Sequence, residues 1–191
     1  MNTQNALKLT SACYNREPLK GKHALEELPI SGKINLRGDL DNESFARGAE
    51  KAIGIQLPSQ PNTFQQNDAL TVYWLGPDEW QLTCKLDSVA AILENIGNHL
   101  DGIHHSAVDV SDYSTTLRLS SPEAAGILRR PCPLDLHERV LPAGSIAQTR
   151  FGHASVLLHR QSDPNVFDIQ VRWSFAEYCW DYLVSTIGMM D

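Results

Sequence analysis

No stretch of the chain approaches the ~20 consecutive apolar residues that a membrane-spanning helix requires. Its opening residues, Met1-Asn-Thr-Gln-Asn-Ala-Leu7, lack the continuous apolar segment of a secretory signal. The expectation is a soluble, cytoplasmic chain with no membrane partner. Positive charge is also scarce, because 16 Lys and Arg stand against 23 Asp and Glu, for a formal net charge of -7. That balance argues against a nucleic-acid partner, whose affinity rests on neutralised phosphates. Cysteine is limited to Cys13, Cys84, Cys132 and Cys179, with no C-x-x-C pair and no zinc-finger spacing. They read as reduced, buried, small apolar residues, and no metal site is expected.

Familiar catalytic signatures are missing as well. There is no G-x-G-x-x-G, no P-loop and no G-x-S-x-G elbow, so neither a phosphate cradle nor a serine nucleophile is indicated. The cluster Cys132-Pro-Leu-Asp135-Leu-His137 reads as a turn leading into a strand, and His104-His105 as a solvated pair at a strand entrance. Asp109-Val-Ser-Asp112 could in principle serve acid–base chemistry, but Asp and Ser at a strand end more commonly cap and turn the backbone.

What is present is an ordinary globular composition, 42% hydrophobic and 20% charged over 191 residues. A chain of that size buries roughly 70% of its unfolded surface. Lysine stops at Lys85, and residues 86–191 carry only arginine as a basic group. Arginine is enriched and lysine depleted at protein interfaces, since the guanidinium is weakly hydrated and grips carboxylates in a fixed fork.

Periodicity organises the rest. Residues 1–32 read as an extended N-terminal arm. A strand over 33–38 leads to a helix capped by Asp41 or Asn42 and closed by Gly54. A polar loop over 60–68 precedes a hairpin with strands at 70–75 and 80–84 around Gly76-Pro-Asp-Glu79. A helix over 88–100 follows, then strands at 106–110 and 115–119. Ser121-Pro-Glu123 reads as a helix start, and Pro131 as its stop. Strands are expected near 146–150, 156–160 and 167–171. The last helix, over 174–187, opens on the capping box Ser174-Phe-Ala-Glu177, with Phe175, Tyr178, Tyr182 and Leu183 as its apolar stripe.

The two halves follow one plan, strand–helix–strand–strand–helix. That duplication predicts an α+β fold with mainly antiparallel sheet and helices packed on it. Neither half reads as able to cover its own sheet, so residues 33–191 are expected to form one domain from two pseudo-repeats, about 33–104 and 105–191.

Several blocks, taken together, resemble the gamma subunit of heterotetrameric sarcosine oxidase. They are Leu75-Gly-Pro-Asp-Glu-Trp80, the run from Ala107-Val-Asp-Val-Ser-Asp112 to Leu119, Cys132-Pro-Leu-Asp-Leu-His137, Ala147-Gln-Thr-Arg150, Val156-Leu-Leu-His-Arg160 and the run from Arg172-Trp-Ser-Phe-Ala-Glu177 to Leu183. The resemblance implies a noncatalytic structural subunit with no cofactor of its own. Its complex would contain alpha, beta and delta subunits carrying FAD, FMN, NAD and zinc, and would use tetrahydrofolate. That assembly oxidatively demethylates sarcosine to glycine, with hydrogen peroxide and formaldehyde or methylenetetrahydrofolate as products. Arg118, Arg150, Arg160 and Arg172 are then the candidate interface residues.

The same stretches are similar to the folate-binding domain of the glycine-cleavage aminomethyltransferase. Where that enzyme has an Asp-Asp pair before a Leu-Ile strand, this chain has Ser155-Val156 before Leu157-Leu158. A valine can neither accept nor donate a proton. The alternative implied by this likeness is an autonomous folate-binding or one-carbon-transfer protein, with Asp109 and Asp112 beside Trp74 or Trp173 as the pterin site.

Overall fold

Alternation in Leu70-Thr-Val-Tyr-Trp-Leu75 sends Leu70 and Val72 to one face and Thr71 and Tyr73 to the other, and the structure uses both faces. The computed structural model describes residues 10–190. In the first half, β1 (Ala24–Glu27) and β2 (Gly32–Arg37) precede α1 (Glu43–Ile53). Then come β3 (Phe64–Gln66), β4 (Leu70–Gly76), β5 (Glu79–Cys84), α2 (Val89–His99) and β6 (Ser106–Asp109). The second half contains β7 (Ser114–Ser120), α3 (Ala124–Arg129), β8 (Ser145–Phe151), β9 (Ala154–Arg160), β10 (Val166–Arg172) and α4 (Trp173–Ile187).

Two five-stranded antiparallel sheets result, ordered β3-β4-β5-β2-β6 and β1-β7-β10-β9-β8. Read from the other end, the second is β8-β9-β10-β7-β1, and it matches the first position by position. The fold is therefore α+β with duplicated units, as the periodicity indicated. The edge beside β2 is filled by β6, which follows α2. The equivalent edge beside β7 is filled by β1, which comes from the start of the chain.

Each sheet packs one face against its own helices. Ile34, Leu36, Val72, Trp80 and Leu82 meet Phe45, Ala49 and Ile96 of α1 and α2 in one core. Leu117, Leu158, Phe167 and Ile169 meet Leu128, Cys179 and Leu183 of α3 and α4 in the other. The expectation that neither half covers its own sheet is thus replaced by two helix-covered sheets. Trp80 anchors the first core, with its indole nitrogen donating to Pro58 O at 2.8 Å. Truncating so large a buried aromatic costs about 3–5 kcal/mol.

Local chemistry explains the element ends. Asn42 caps α1, its side chain accepting from Ser44 N and Phe45 N, and Gly54 closes the helix at φ 71. Gly152, at φ 55, takes the first position of the two-residue β8–β9 hairpin.

Four local expectations change. Of the arm expected over 1–32, residues 1–9 lie outside the described residues, and Ala24–Glu27 is an edge strand rather than a free extension. The polar loop at 60–68 contains β3. The Ser174–Glu177 capping box is not formed, because α4 starts at Trp173 and Arg172, the last residue of β10, stands at its N-cap without a side-chain cap bond. The buried stripe of α4 is Ala176, Cys179, Trp180, Leu183 and Ile187. Tyr178 lies at the surface and stacks edge-on with Tyr182, 6.4 Å between ring centres.

Candidate functional site in the cleft between the sheets

The faces turned away from the helices look at each other across a polar layer. Gln81 of β5 and Gln170 of β10 exchange amide bonds of 2.8 Å and 2.7 Å. Tyr73 Oη of β4 lies 3.1 Å from His159 Nδ1 of β9, with Phe64 of β3 4.6 Å from the same imidazole. Gln148 Nε2 of β8 donates to Leu75 O at 2.7 Å. Lys33, only 2% exposed, donates from Nζ to Ser114 O at 2.9 Å, and burial lowers its pKa.

Burial also lowers the pKa of His159, opposed by the Asp168 carboxylate and assisted by the Arg118 guanidinium. It raises that of Tyr73, here with the Asp168 carboxylate assisting and the Arg118 guanidinium opposing. His159 and Asp168 border a smaller recess of about 220 Å³ that shares Leu157 and Gln170 with the main cleft.

That main cleft has a volume of about 710 Å³. Its floor is the Gln81–Gln170 pair with Ser114, and its apolar walls include Val108, Val110 and Leu157. Glu79 is the acid on its lining, and both carboxylate oxygens are engaged, by Asn35 Nδ2 and Arg37 Nη2 at 2.7 Å each. Ser155 and Val156 also line it. The position at which the aminomethyltransferase likeness implied an acid therefore faces the cleft, but it carries no ionisable group. At the mouth, the Arg172 guanidinium sits 4.9 Å from the centre of the Tyr113 ring.

The four candidate arginines separate into two pairs. Arg118 forms a bidentate pair with Asp168, at 2.7 and 2.8 Å, across the β7–β10 register. Arg160, 6% exposed, points into the second core and donates to Leu141 O at 2.7 Å and Pro164 O at 3.0 Å. Arg118 and Arg160 are thus engaged within the fold. Arg150 and Arg172 are exposed, and neither pairs with a carboxylate among the described residues.

The alternative pterin residues are not placed on the cleft. Asp109 Oδ1 accepts from Ser111 N and Ser111 Oγ, a turn-forming role, and Asp112 is exposed. Asp109, Asp112, Trp74 and Trp173 all lie outside the cleft lining. In the Cys132 cluster, Asp135 Oδ1 accepts from His137 N and His137 Nδ1 from Arg139 N, while the Cys132 thiol lies 3.6 Å from Thr149 Oγ1. His105 Nδ1 is bonded to Ile103 O. Among the described residues, no group of three or more His, Cys, Asp or Glu is arranged to hold a metal ion. All four cysteines are buried and free, and no helix among the described residues is long and apolar enough to cross a membrane.

Sequence reading missed the floor of the cleft. Gln81, Tyr73, His159 and Gln170 are out of phase with the core positions of their strands, a pattern that ordinarily marks a solvent face. The available signal was their number on adjacent strands of both halves.

Comparison with known proteins gives a consistent picture. The model of the sarcosine oxidase, gamma subunit family matches residues 37–187. Sarcosine oxidase subunit gamma of Corynebacterium sp. (strain P-1) is 30% identical over 177 residues, covering 88% of this chain and 81% of that protein. A chain of heterotetrameric sarcosine oxidase from Corynebacterium sp. U-96, solved in complex with pyrrole 2-carboxylate, superposes with a TM-score of 0.80 at 27% identity, covering 90% of this chain and 88% of that one. The glycine cleavage system aminomethyltransferase T from Bartonella henselae matches at TM-score 0.61 and 13% identity, over 84% of this chain and 45% of that one, a likeness of fold.

Proposed function

The chain belongs to the sarcosine oxidase gamma subunit family, and from that premise we propose that it is the noncatalytic structural subunit of a heterotetrameric sarcosine oxidase. The complex is cytoplasmic and joins this chain to alpha, beta and delta subunits. It demethylates sarcosine oxidatively to glycine, oxygen being reduced to hydrogen peroxide. The one-carbon unit leaves as formaldehyde or, with tetrahydrofolate, as methylenetetrahydrofolate. FAD, FMN, NAD and zinc reside in the other chains.

The observation that carries the noncatalytic role is the chemistry of the cleft. Its lining acid, Glu79, is bound at both oxygens, and Ser155 and Val156 supply no carboxylic acid where the related transferase likeness implied one. A general acid or base must be free to reach the reacting atom. A protein can keep a fold after its site has lost its chemistry.

The test is purification of the tagged chain from its native cytosol. Co-eluting larger subunits with flavin absorbance and sarcosine-dependent peroxide formation support the reading. A colourless lone chain that binds tetrahydrofolate saturably would replace it with the folate-binding alternative.

A further inference from the structure

The floor of the cleft offers a ligand little to bind. Gln81 Nε2 donates to Gln170 Oε1 at 2.8 Å and to Thr83 Oγ1 at 3.2 Å. Gln170 Nε2 donates to Gln81 Oε1 at 2.7 Å and to Ser114 Oγ at 3.0 Å. Every N–H of both amides is therefore used inside the protein, and Glu79 is held between Asn35 and Arg37. A small polar heterocycle is read by a few well-placed polar groups, and the amide donors of this floor are all spent within the protein.

The open features lie at the mouth. Val108 and Tyr113 are 50% and 49% exposed, large for apolar groups at the lip of a recess. The Arg172 guanidinium lies over the Tyr113 ring, and the exposed side chain has no carboxylate partner among the described residues. A stacked guanidinium of this kind is preorganised for a bidentate carboxylate. The strand carrying Val108, β6, pairs with β2 on one side and forms the edge of its sheet on the other. An open edge is a template for a further strand, with main-chain bonds giving affinity and side-chain pockets giving specificity.

We propose that the mouth of this cleft is a docking groove for an extended segment of a partner subunit. The segment adds a strand beside β6, lays an apolar side chain over Val108 and Tyr113, and sets a carboxylate on Arg172. The saturated floor disfavours a small polar occupant, whereas an unpaired, ring-stacked cation beside apolar area on an open strand edge suits a protein segment. The inference rests on the structural-subunit reading and names the surface through which that role is exercised.

The test uses the full chain, tagged and co-expressed with the other subunits of its complex, as wild type, Arg172→Glu, Val108→Asp and the distal control Lys51→Glu on the exposed side of α1. The expected result is a drop of at least ~10-fold in recovered partner subunits for Arg172→Glu and Val108→Asp, the size of effect typical of a lost interfacial charge or apolar anchor. Lys51→Glu assembles as wild type. Cooperative melting of each variant alone separates lost docking from lost folding. Amide exchange on the wild type supplies a readout that needs no variant: residues 106–114 are slowed in the complex relative to the free chain. Normal assembly of both variants, or equal exchange of 106–114 in both states, overturns the groove and leaves the subunit reading standing. A wild-type chain that recovers no partner overturns both. Slowing of 106–114 in the free chain by tetrahydrofolate alone replaces the partner segment with a small-molecule occupant.

Discussion

Gln81 and Gln170, 89 positions apart and on different sheets, face each other as mirror-image amides, each donating to the other's Oε1 at 2.8 and 2.7 Å. This reciprocal bond links the two halves where a sheet-on-sheet sandwich would ordinarily place interdigitated apolar side chains. It makes the junction specific in register, because a shift of either strand by one residue would turn the amide away.

Removing one member of that pair leaves the other amide buried and unsatisfied, which costs about 1–3 kcal/mol. Gln81→Leu and Gln170→Leu are each expected to lose that amount in urea unfolding. The double variant is expected to recover part of it, with a coupling of about 0.5–3 kcal/mol, because no lone amide remains. Strict additivity of the two single losses would show that the pair does not join the halves.

Acid should loosen the same junction through His159. Burial holds its folded pKa below the ordinary 6.5, against the opposing pull of Asp168 and alongside Arg118, and Tyr73 is its hydrogen-bonded neighbour. Above 6.5 both the folded and unfolded imidazoles are neutral, and the native contact is fully available. As pH falls through 6.5 the unfolded chain takes up a proton that the folded chain resists, so stability falls until the lower folded pKa is passed. His159→Gln lacks that proton, and its urea midpoint is expected to decline less than the wild-type midpoint between pH 7.5 and 5. Parallel declines would remove His159 from the account.

The arginine-only second half illustrates what composition can and cannot say. Composition drew attention to arginine, but not to the direction each side chain takes. Arg160 follows His159 in β9, so the alternation of the strand sends one side chain to the polar layer and the next into the core. Only the register reveals that Arg160 reaches the carbonyls of Leu141 and Pro164. The helices and the β4–β5 hairpin were legible because each carries its own periodicity and end signals, such as Asn42 and Gly54 on α1. β3 was not, since Phe64-Gln-Gln66 has a single apolar residue and pairs only at the edge of its sheet. The capping box of α4 was present in the sequence but unused, because β10 runs into the helix directly and Trp173 N donates to Tyr113 O at 3.1 Å. The cleft escaped reading for a related reason: alternation identifies a polar face, not what covers it.

Arg160 is accordingly expected to matter for stability rather than assembly. Its guanidinium donates to the buried carbonyl of Leu141 and to the loop carbonyl of Pro164, and lies 5.3 Å from the Phe167 ring centre. Hydrogen bonds from a charged donor are worth about 1.5–3 kcal/mol each, and their losses overlap. Arg160→Ala should therefore cost about 2–4 kcal/mol, and Arg160→Lys should restore only part of it, since an ammonium lacks the planar fork. The exposed Arg150→Ala should stay within about 0.5 kcal/mol of wild type. Thermal unfolding of the three variants distinguishes these outcomes, and equal melting of Arg160→Ala and Arg150→Ala would return Arg160 to the surface.

The N-terminal segment belongs to the second half energetically as well as topologically. Leu25 is 0% exposed between β1 and the core beneath β7, and Cys13 is buried in the same cluster. Cys13 N donates to Glu27 Oε2 at 3.0 Å, and Thr115 Oγ1 donates to Glu27 Oε1 at 2.6 Å, so one carboxylate fastens the segment to β7. Leu25→Ala should cost about 2–5 kcal/mol as a core truncation. The thiol gives an independent readout, because burial, with Glu27 and Glu177 nearby, pushes the Cys13 pKa up to about 12. A thiol held so far above neutral pH is almost wholly protonated and unreactive. Alkylation of Cys13 at pH 8 should thus be slow in the wild type and accelerate in Leu25→Ala, in step with the loss of stability. Fast labelling of Cys13 in the folded wild type would show that this segment is detached from the sheet, and that β7 rather than β1 is its working edge.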